Sequence, residues 1–173
     1  MPSPTVTERS IPWGDAGSLA TIDAMRGIID RALRVPLVVE TARSIALSCP
    51  VRDSVRVAWA IREWLASSFF FVRDPVGVEL VAEPEYMLRR FQVTRKILGD
   101  CDDAAVLGCA LGKAVGIPCK LVAIGFNRAG RNVAPFAHVY GVLFPTPTGA
   151  VSLDVTRPVG RVATVQRRLD FTV

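Results

Sequence analysis

The chain has 173 residues, half of them hydrophobic and 21% charged, a composition typical of one globular domain and unlike that of disordered proteins. Its 21 Lys and Arg against 16 Asp and Glu give a net charge of +5. These basic residues are scattered, whereas nucleic-acid binders gather them on one face. The longest apolar runs, residues 104–112 and 121–126, are shorter than the ~20 residues that a membrane-spanning helix needs. We therefore expect a protein that binds neither nucleic acid nor membranes.

The N-terminal sequence and the cysteines indicate a reducing compartment. MPSPTVTERS has no basic segment followed by an apolar one, so no secretory signal is visible and a cytoplasmic location is expected. None of the four cysteines forms a C-x-x-C pair, and the chain has one histidine. A disulfide framework or a structural zinc site would need denser spacing. We expect reduced thiols, no metal and no cofactor.

Three helices are predicted in the N-terminal part, because apolar residues recur there at three- and four-residue steps. They are SLATIDAMRGIIDRAL, PLVVETARSIALS and DSVRVAWAIREWLASS, the last with Asp53 or Ser54 as its cap. The residues expected on buried faces are Leu19, Ile22, Met25, Ile29 and Leu33 in the first helix and Val55, Ala58, Ile61 and Leu65 in the third.

After these helices the pattern predicts a central helix and then a sheet. FFFVRDP is typical of a short strand, and EYMLRR of a helical turn after Pro84. An almost wholly apolar, buried helix is expected from Cys101 to about Gly116, with small residues along one side for close packing. CKLVAIGF, AHVYGVLF and AVSLDVT are β-rich runs separated by the turn sequences NRAGRN and PTPTG.

The order of helices followed by an antiparallel sheet predicts an α+β fold. We expect a single domain over residues 1–173. Within it, residues 1–50 would form an N-terminal helical extension, residues 51–158 the core, and residues 159–173 a C-terminal strand or tail.

The sequence GDCDD, residues 99–103, places Cys101 at the start of the central helix. Asp100 is a natural N-cap there, and Gly99 would let the chain turn sharply into the helix. Helix N-termini favour anions and can lower the pKa of a cysteine, which makes Cys101 a candidate nucleophile. The neighbouring carboxylates oppose a thiolate, so we expect them to point away from the sulfur. A well-capped helix with an incidental cysteine is the alternative.

His138 and Asp154 are candidate partners of this cysteine. His138 is the one histidine of the chain and lies in a predicted strand, while Asp154 ends the next one. The turn PTPTG would pair the two strands antiparallel and bring Asp154 within a residue or two of His138. Nucleophile, base and orienting group would then be present together, although a structural histidine and a turn-forming aspartate explain each residue alone.

These motifs together resemble the transglutaminase-like superfamily, a papain-related group. The resemblance extends from GDCDDAAVLGCALGKAVGIPCKLVAIGF through AHVYGVLF and SLDVT, and upstream through IREWLASSFFFVRDP and VELVAEPEYML. It implies Cys101 as nucleophile, His138 as general base and acid, and Asp154 as the residue that orients His138. Many members carry a Trp soon after the histidine, where this chain has Tyr140. Compact members of the group occur among bacterial and phage-encoded proteins.

The resemblance implies a cysteine-dependent amide hydrolase, such as a protease or amidase, or an acyltransferase. Cys101 would form a thioester with a protein or peptide substrate, and its backbone N–H would bind the oxyanion. Water or an amine would then resolve the thioester, and hydrolysis is favoured because no amine site is visible. Tyr86 and Gln92 are upstream candidates for the second oxyanion donor. The alternatives are a non-catalytic binding or structural module, such as a particle-associated part of a phage or prophage assembly, and a redox thiol protein.

Overall fold

The structure is a computed structural model, and it describes residues 10–50, 53–126, 136–156 and 165–173. Five helices and two sheets make up this part of the chain, which confirms the α+β class. None of the helices in these residues is both long and apolar enough to cross a membrane. The first nine residues and the predicted turn at residues 127–132 lie outside the described ranges.

The helices and strands follow the sequence pattern closely. The helices are α1 (Asp15–Ala32), α2 (Pro36–Leu47), α3 (Ser54–Ser68), α4 (Pro84–Thr94) and α5 (Cys101–Ala114). The strands are β1 (Phe69–Phe71), β2 (Ile97–Gly99), β3 (Cys119–Phe126), β4 (Phe136–Leu143), β5 (Val151–Ser152) and β6 (Val165–Thr172). The turn predicted after Pro84 is in fact a helix of 11 residues.

Two residues expected on buried faces are exposed. Leu19 and Val55 each keep 39% of their surface accessible. The stripe that α3 buries includes Val57 and Ala58, because the helix is rotated slightly from the phase inferred from spacing. On α1 the stripe includes Ile28, and Leu19 lies at its N-terminal edge. The other predicted faces are buried, with Leu33 half-buried.

Helix α5 lies at the centre of the molecule, as predicted. Every residue from Asp102 to Gly112 is buried, and α1, α2, α3, α4 and the long sheet all pack against this helix. Its glycines permit the close approach: a Cβ on Gly108 would lie 2.7 Å from Leu153 Cδ1, and one on Gly112 would lie 2.3 Å from Leu143 Cδ2. The helix ends where Gly116 adopts a left-handed φ of 80°.

The long sheet has the strand order β5-β4-β3-β6 and is antiparallel throughout. Its inner face joins the core around α5, while a smaller cluster of Val122, Ile124 and Val142 lies apart from that core. Antiparallel partners share a face, so His138, opposite Ile124, lies on the outer face together with Tyr140, opposite Val122.

The remaining strands, β1 and β2, form a separate parallel pair. Phe71 is opposite Gly99 in this pair, and the Val72 N–H donates to the Gly99 carbonyl at 2.7 Å. The pair anchors the chain immediately before Cys101. As a result, the start of α5 is held on one side by β2 and on the other by the edge of the long sheet.

Candidate active site

The start of α5 is closed by a reciprocal capping box. The Asp100 carboxylate accepts a hydrogen bond from the Asp102 N–H at 3.2 Å, and the Asp103 carboxylate accepts one from the Asp100 N–H at 3.3 Å. Asp103 also accepts from the Ala82 N–H at 2.7 Å, which ties the cap to the segment before α4. Asp100 is therefore the N-cap, as predicted, and Cys101 is the first residue of the helix.

Gly99 serves this cap in a way that differs from the prediction. Its φ is not among the positive values of the chain, so no left-handed turn requires glycine there. A Cβ on Gly99 would instead lie 2.3 Å from Asp103 Oδ2, the oxygen that accepts from the Asp100 N–H. Glycine is needed because the carboxylate of the cap packs directly against the backbone.

The Cys101 thiol is partly buried beside strand β4. Its pKa is raised to about 12, mainly by burial and to a smaller extent by the carboxyl groups of Asp100, Asp102 and Glu79, against a backbone hydrogen bond from Val139 that lowers it. The expectation of a pKa lowered by the helix was wrong. A helix N-terminus contributes ~0.3–1 kcal/mol, which burial and three nearby carboxyl groups outweigh. Cys101 is therefore a neutral thiol at rest.

His138 and Asp154 are hydrogen-bonded to each other. His138 Nε2 lies 3.0 Å from Asp154 Oδ1, and the two side chains are 8% and 15% exposed. The hairpin register pairs Val142 with Ser152 and Leu143 with Val151, so its continuation places Asp154 diagonally across from His138, within reach on one face. With the Nε2–H donating to the carboxylate, Nδ1 is left as the nitrogen that accepts a proton.

Two aromatic rings flank the imidazole. Phe126 stacks at a centroid distance of 6.5 Å and Tyr140 at 5.9 Å, with interplanar angles of 28° and 27°. Tyr140 is two residues along the same strand, and alternation predicts that it shares a face with His138, as the structure has it. Phe126 comes from β3, and no feature of the sequence pointed to it.

The backbone of β4 connects the thiol with the histidine. Gly141 accepts from the Leu153 N–H on the β5 side, and alternate strand residues bond in the same direction, so Val139 also faces that edge. At this edge the Val139 N–H donates a hydrogen bond to the Cys101 sulfur. The structure thus places the thiol beside the residue that follows His138, at the edge of the sheet where Asp154 continues β5.

The three aspartates beside Cys101 bring carboxylate oxygens within 4.8 Å of one another, as a metal ion would require. Backbone N–H groups already occupy Asp100 Oδ1, Asp102 Oδ1 and both oxygens of Asp103. These hydrogen bonds show that the three aspartates hold the start of α5.

The two upstream candidates for an oxyanion donor lie on exposed positions of α4. The Tyr86 hydroxyl accepts a hydrogen bond from Arg90 Nη1 at 3.2 Å. Gln92 is exposed as well. The Cys101 N–H, by contrast, is at the first helical position, where no carbonyl within the helix can accept it. Of these candidates it is the one whose place fits an oxyanion donor.

No protein-family model matches the sequence, and none of the curated proteins matches it either. A crystal structure described as that of a "putative protease" from Parabacteroides distasonis ATCC 8503 is similar to 69% of this chain. The TM-score is 0.50 and the sequence identity 15%, and the match spans 24% of that protein. At this identity the likeness shows a shared fold.

Proposed function

We propose that the protein is a cysteine-dependent amide hydrolase or acyltransferase of the transglutaminase-like type. The observation that carries the proposal is the His138–Asp154 hydrogen bond of 3.0 Å, formed next to the strand residue whose N–H meets the Cys101 sulfur. An oriented imidazole beside a thiol at a helix N-terminus is the arrangement that nucleophilic acyl transfer uses. The similar fold of a protein described as a "putative protease" supports the same class.

Each of the three residues has a distinct role in the proposed reaction. Because Cys101 is neutral at rest, His138 Nδ1 removes its proton as the sulfur attacks the carbonyl carbon of an amide. The oxyanion that forms accepts a hydrogen bond from the Cys101 N–H, and Asp154 stabilises the resulting imidazolium. The imidazolium then protonates the departing amine, the C–N bond breaks, and a thioester remains on Cys101.

Water or a second amine completes the reaction. His138 again acts as the base, and attack on the thioester returns the cysteine as a thiol. The core of residues 51–158 would supply this chemistry, and we propose proteins or peptides as substrates. Hydrolysis gives a carboxylic acid, while an amine gives a new amide, so the two products distinguish the two activities.

The test is a panel of denatured proteins incubated with the full chain and with Cys101→Ala. New N-termini are detected by mass spectrometry, and transfer is detected with a fluorescent primary amine. Cys49→Ala is the matched control, since Cys49 lies between α2 and α3 and packs against their residues. We expect Cys101→Ala to abolish one of the two signals and Cys49→Ala to leave it intact.

A non-catalytic binding module is the second candidate, and the raised pKa of Cys101 favours it. A neutral, partly buried thiol is a poor nucleophile unless a bound substrate brings His138 into action. This candidate predicts neither cleavage nor amine transfer in the panel. Equal signals from the wild type and Cys101→Ala would also contradict the proposed enzyme.

A further inference from the structure

One buried oxygen beside Cys101 meets no hydrogen-bond donor in the part of the chain that the structure describes. Asp102 is 2% exposed, and its Oδ2 has no partner among the described residues, although Oδ1 accepts from the Asp103 N–H at 2.8 Å. No cationic side chain of the described residues forms an ion pair with Asp102. An ionised carboxylate in such a place would be an unpaired buried charge, which is among the costliest groups in a folded protein.

The groups that face this carboxyl are themselves acidic. Asp100 and Asp103 lie on the same helix start, with oxygens within 4.8 Å, and Glu79 approaches from the segment before α4. The side chains of Asp100 and Glu79 are both within hydrogen-bonding reach of Asp102. Carboxylates only accept hydrogen bonds, so a contact between two of them is a hydrogen bond only if one carries a proton.

We propose that Asp102 is a neutral carboxylic acid whose O–H donates to the Asp100 carboxylate, and that this shared proton holds the helix start on which Cys101 sits. Asp102 Oδ2 is then a donor, which explains why no donor meets it. Asp102 is a positioning residue in this arrangement. It fixes Asp100, whose Oδ1 accepts from the Asp102 N–H.

The direction of the pKa values agrees with this placement of the proton. Burial is the largest cause that raises the pKa of Asp102 to about 11, followed by its hydrogen bond to Asp100 and the charges of Asp100, Asp103 and Glu79. Asp103 differs, because backbone N–H groups of Ala82 and Asp100 stabilise its charged form and its pKa reaches only about 6. Of these two buried aspartates, Asp102 retains its proton at neutral pH.

The proton also changes the surroundings of the thiol. Of the three carboxyl groups that raise the pKa of Cys101, a neutral Asp102 would no longer contribute a charge, which lowers the cost of the thiolate that attack requires. This consequence rests on the proposed function. The protonation state itself does not, and it can be measured without any substrate.

The experiment is infrared difference spectroscopy of the full chain at pH 8, where ordinary aspartates, with pKa values of ~3.9, are ionised. We expect the carbonyl stretch of a protonated carboxylic acid in the wild type, and its loss in Asp102→Asn. Asp103→Asn is the matched control and should keep the band. Absence of the band in folded wild-type protein, or its persistence in Asp102→Asn, would overturn the proposal.

A second pair of variants tests the positioning role. Asn at position 102 retains an N–H donor for Asp100, whereas Leu fills the volume and donates nothing. We expect Asp102→Asn to preserve the alkylation rate of Cys101 by iodoacetamide between pH 7 and 9 within about twofold, and Asp102→Leu to change it more than tenfold. Equal rates in the two variants, with folding confirmed by circular dichroism, would contradict the role. The infrared and alkylation results do not depend on a substrate, so a failure to find amide chemistry would contradict the proposed function without affecting them.

Discussion

Cys101 lies beside Val139, the strand residue that follows His138, yet the surroundings of the thiol and of the imidazole are of opposite kinds. His138 lies between two aromatic rings and is hydrogen-bonded to one carboxylate, an arrangement that fixes the orientation of its ring. Cys101 is partly buried beside several carboxyl groups, and burial together with these groups raises the pKa of its thiol to about 12. For the proposed reaction this difference would mean that the base, His138, is oriented in advance, whereas the thiol of Cys101 stays protonated until His138 takes its proton.

The largest effect is expected at the base. In the proposed reaction His138 accepts the thiol proton, so we expect His138→Ala to cost roughly 10⁶-fold in kcat, as the loss of a triad histidine does. The measurement is kcat on whichever substrate the protein panel identifies, with Tyr140→Phe as a control that preserves the ring beside His138. A loss below about tenfold would show that His138 has a structural role and that His138 and Cys101 are not a catalytic pair.

The nucleophile side is tested without a substrate. A pKa of about 12, against an ordinary value of 9.0, leaves roughly 10³-fold less thiolate at neutral pH, since each pH unit is a factor of ten. We expect Cys101 to be alkylated by iodoacetamide far more slowly than free cysteine at pH 7.5, as measured by mass spectrometry of each peptide. If Cys101 reacts faster than free cysteine, a thiolate–imidazolium pair exists at rest. The thiol would then not be suppressed by its surroundings, contrary to the comparison with His138.

Stability should depend on pH because of the buried acids. The folded-state pKa of Asp102, about 11, is raised above its ordinary value of 3.8. Its contribution to stability is thus fully present below pH 4 and is lost as the pH rises toward 11. The slope from this one proton is at most about 1.4 kcal/mol per pH unit. Asp102→Asn removes this proton, so urea unfolding between pH 5 and 9 should show a flatter profile than the wild type. Matching profiles would mean that Asp102 is ionised in the folded state.

The cap itself gives a smaller effect. Gly99→Ala places a Cβ 2.3 Å from Asp103 Oδ2 and displaces the carboxylate that accepts from the Asp100 N–H, so we expect a loss of roughly 1–3 kcal/mol in stability. Gly27→Ala is the matched control, since its nearest neighbour is the flexible Arg31 side chain at 3.4 Å and alanine favours helices by ~1 kcal/mol. Urea unfolding that ranks Gly99→Ala as no worse than Gly27→Ala would exclude this account of the cap.

Local signals in the sequence determined much of this arrangement. The Asp100 cap, the start of α5 at Cys101 and the diagonal placement of Asp154 follow from capping chemistry and from one hairpin turn. The pKa of Cys101 did not follow, because it depends on burial and on Glu79, which lies 22 residues upstream. Such contacts appear only once the chain is folded. The parallel pairing of β1 with β2 was also missed, since three-residue strands carry almost no periodicity.

The smallest effect we predict concerns the ring that flanks the base. Tyr140 stacks on His138 at 5.9 Å, and an aromatic pair contributes ~0.5–1.5 kcal/mol beyond its buried area. Tyr140→Leu keeps an apolar side chain but loses the stacking, so we expect kcat to fall by roughly three- to tenfold, with KM little changed. Tyr140→Phe should retain the activity, because the ring rather than the hydroxyl contacts the imidazole. If Tyr140→Phe loses as much activity as Tyr140→Leu, the Tyr140 hydroxyl contributes to the reaction. The aromatic rings around His138 would then do more than hold the imidazole in its orientation.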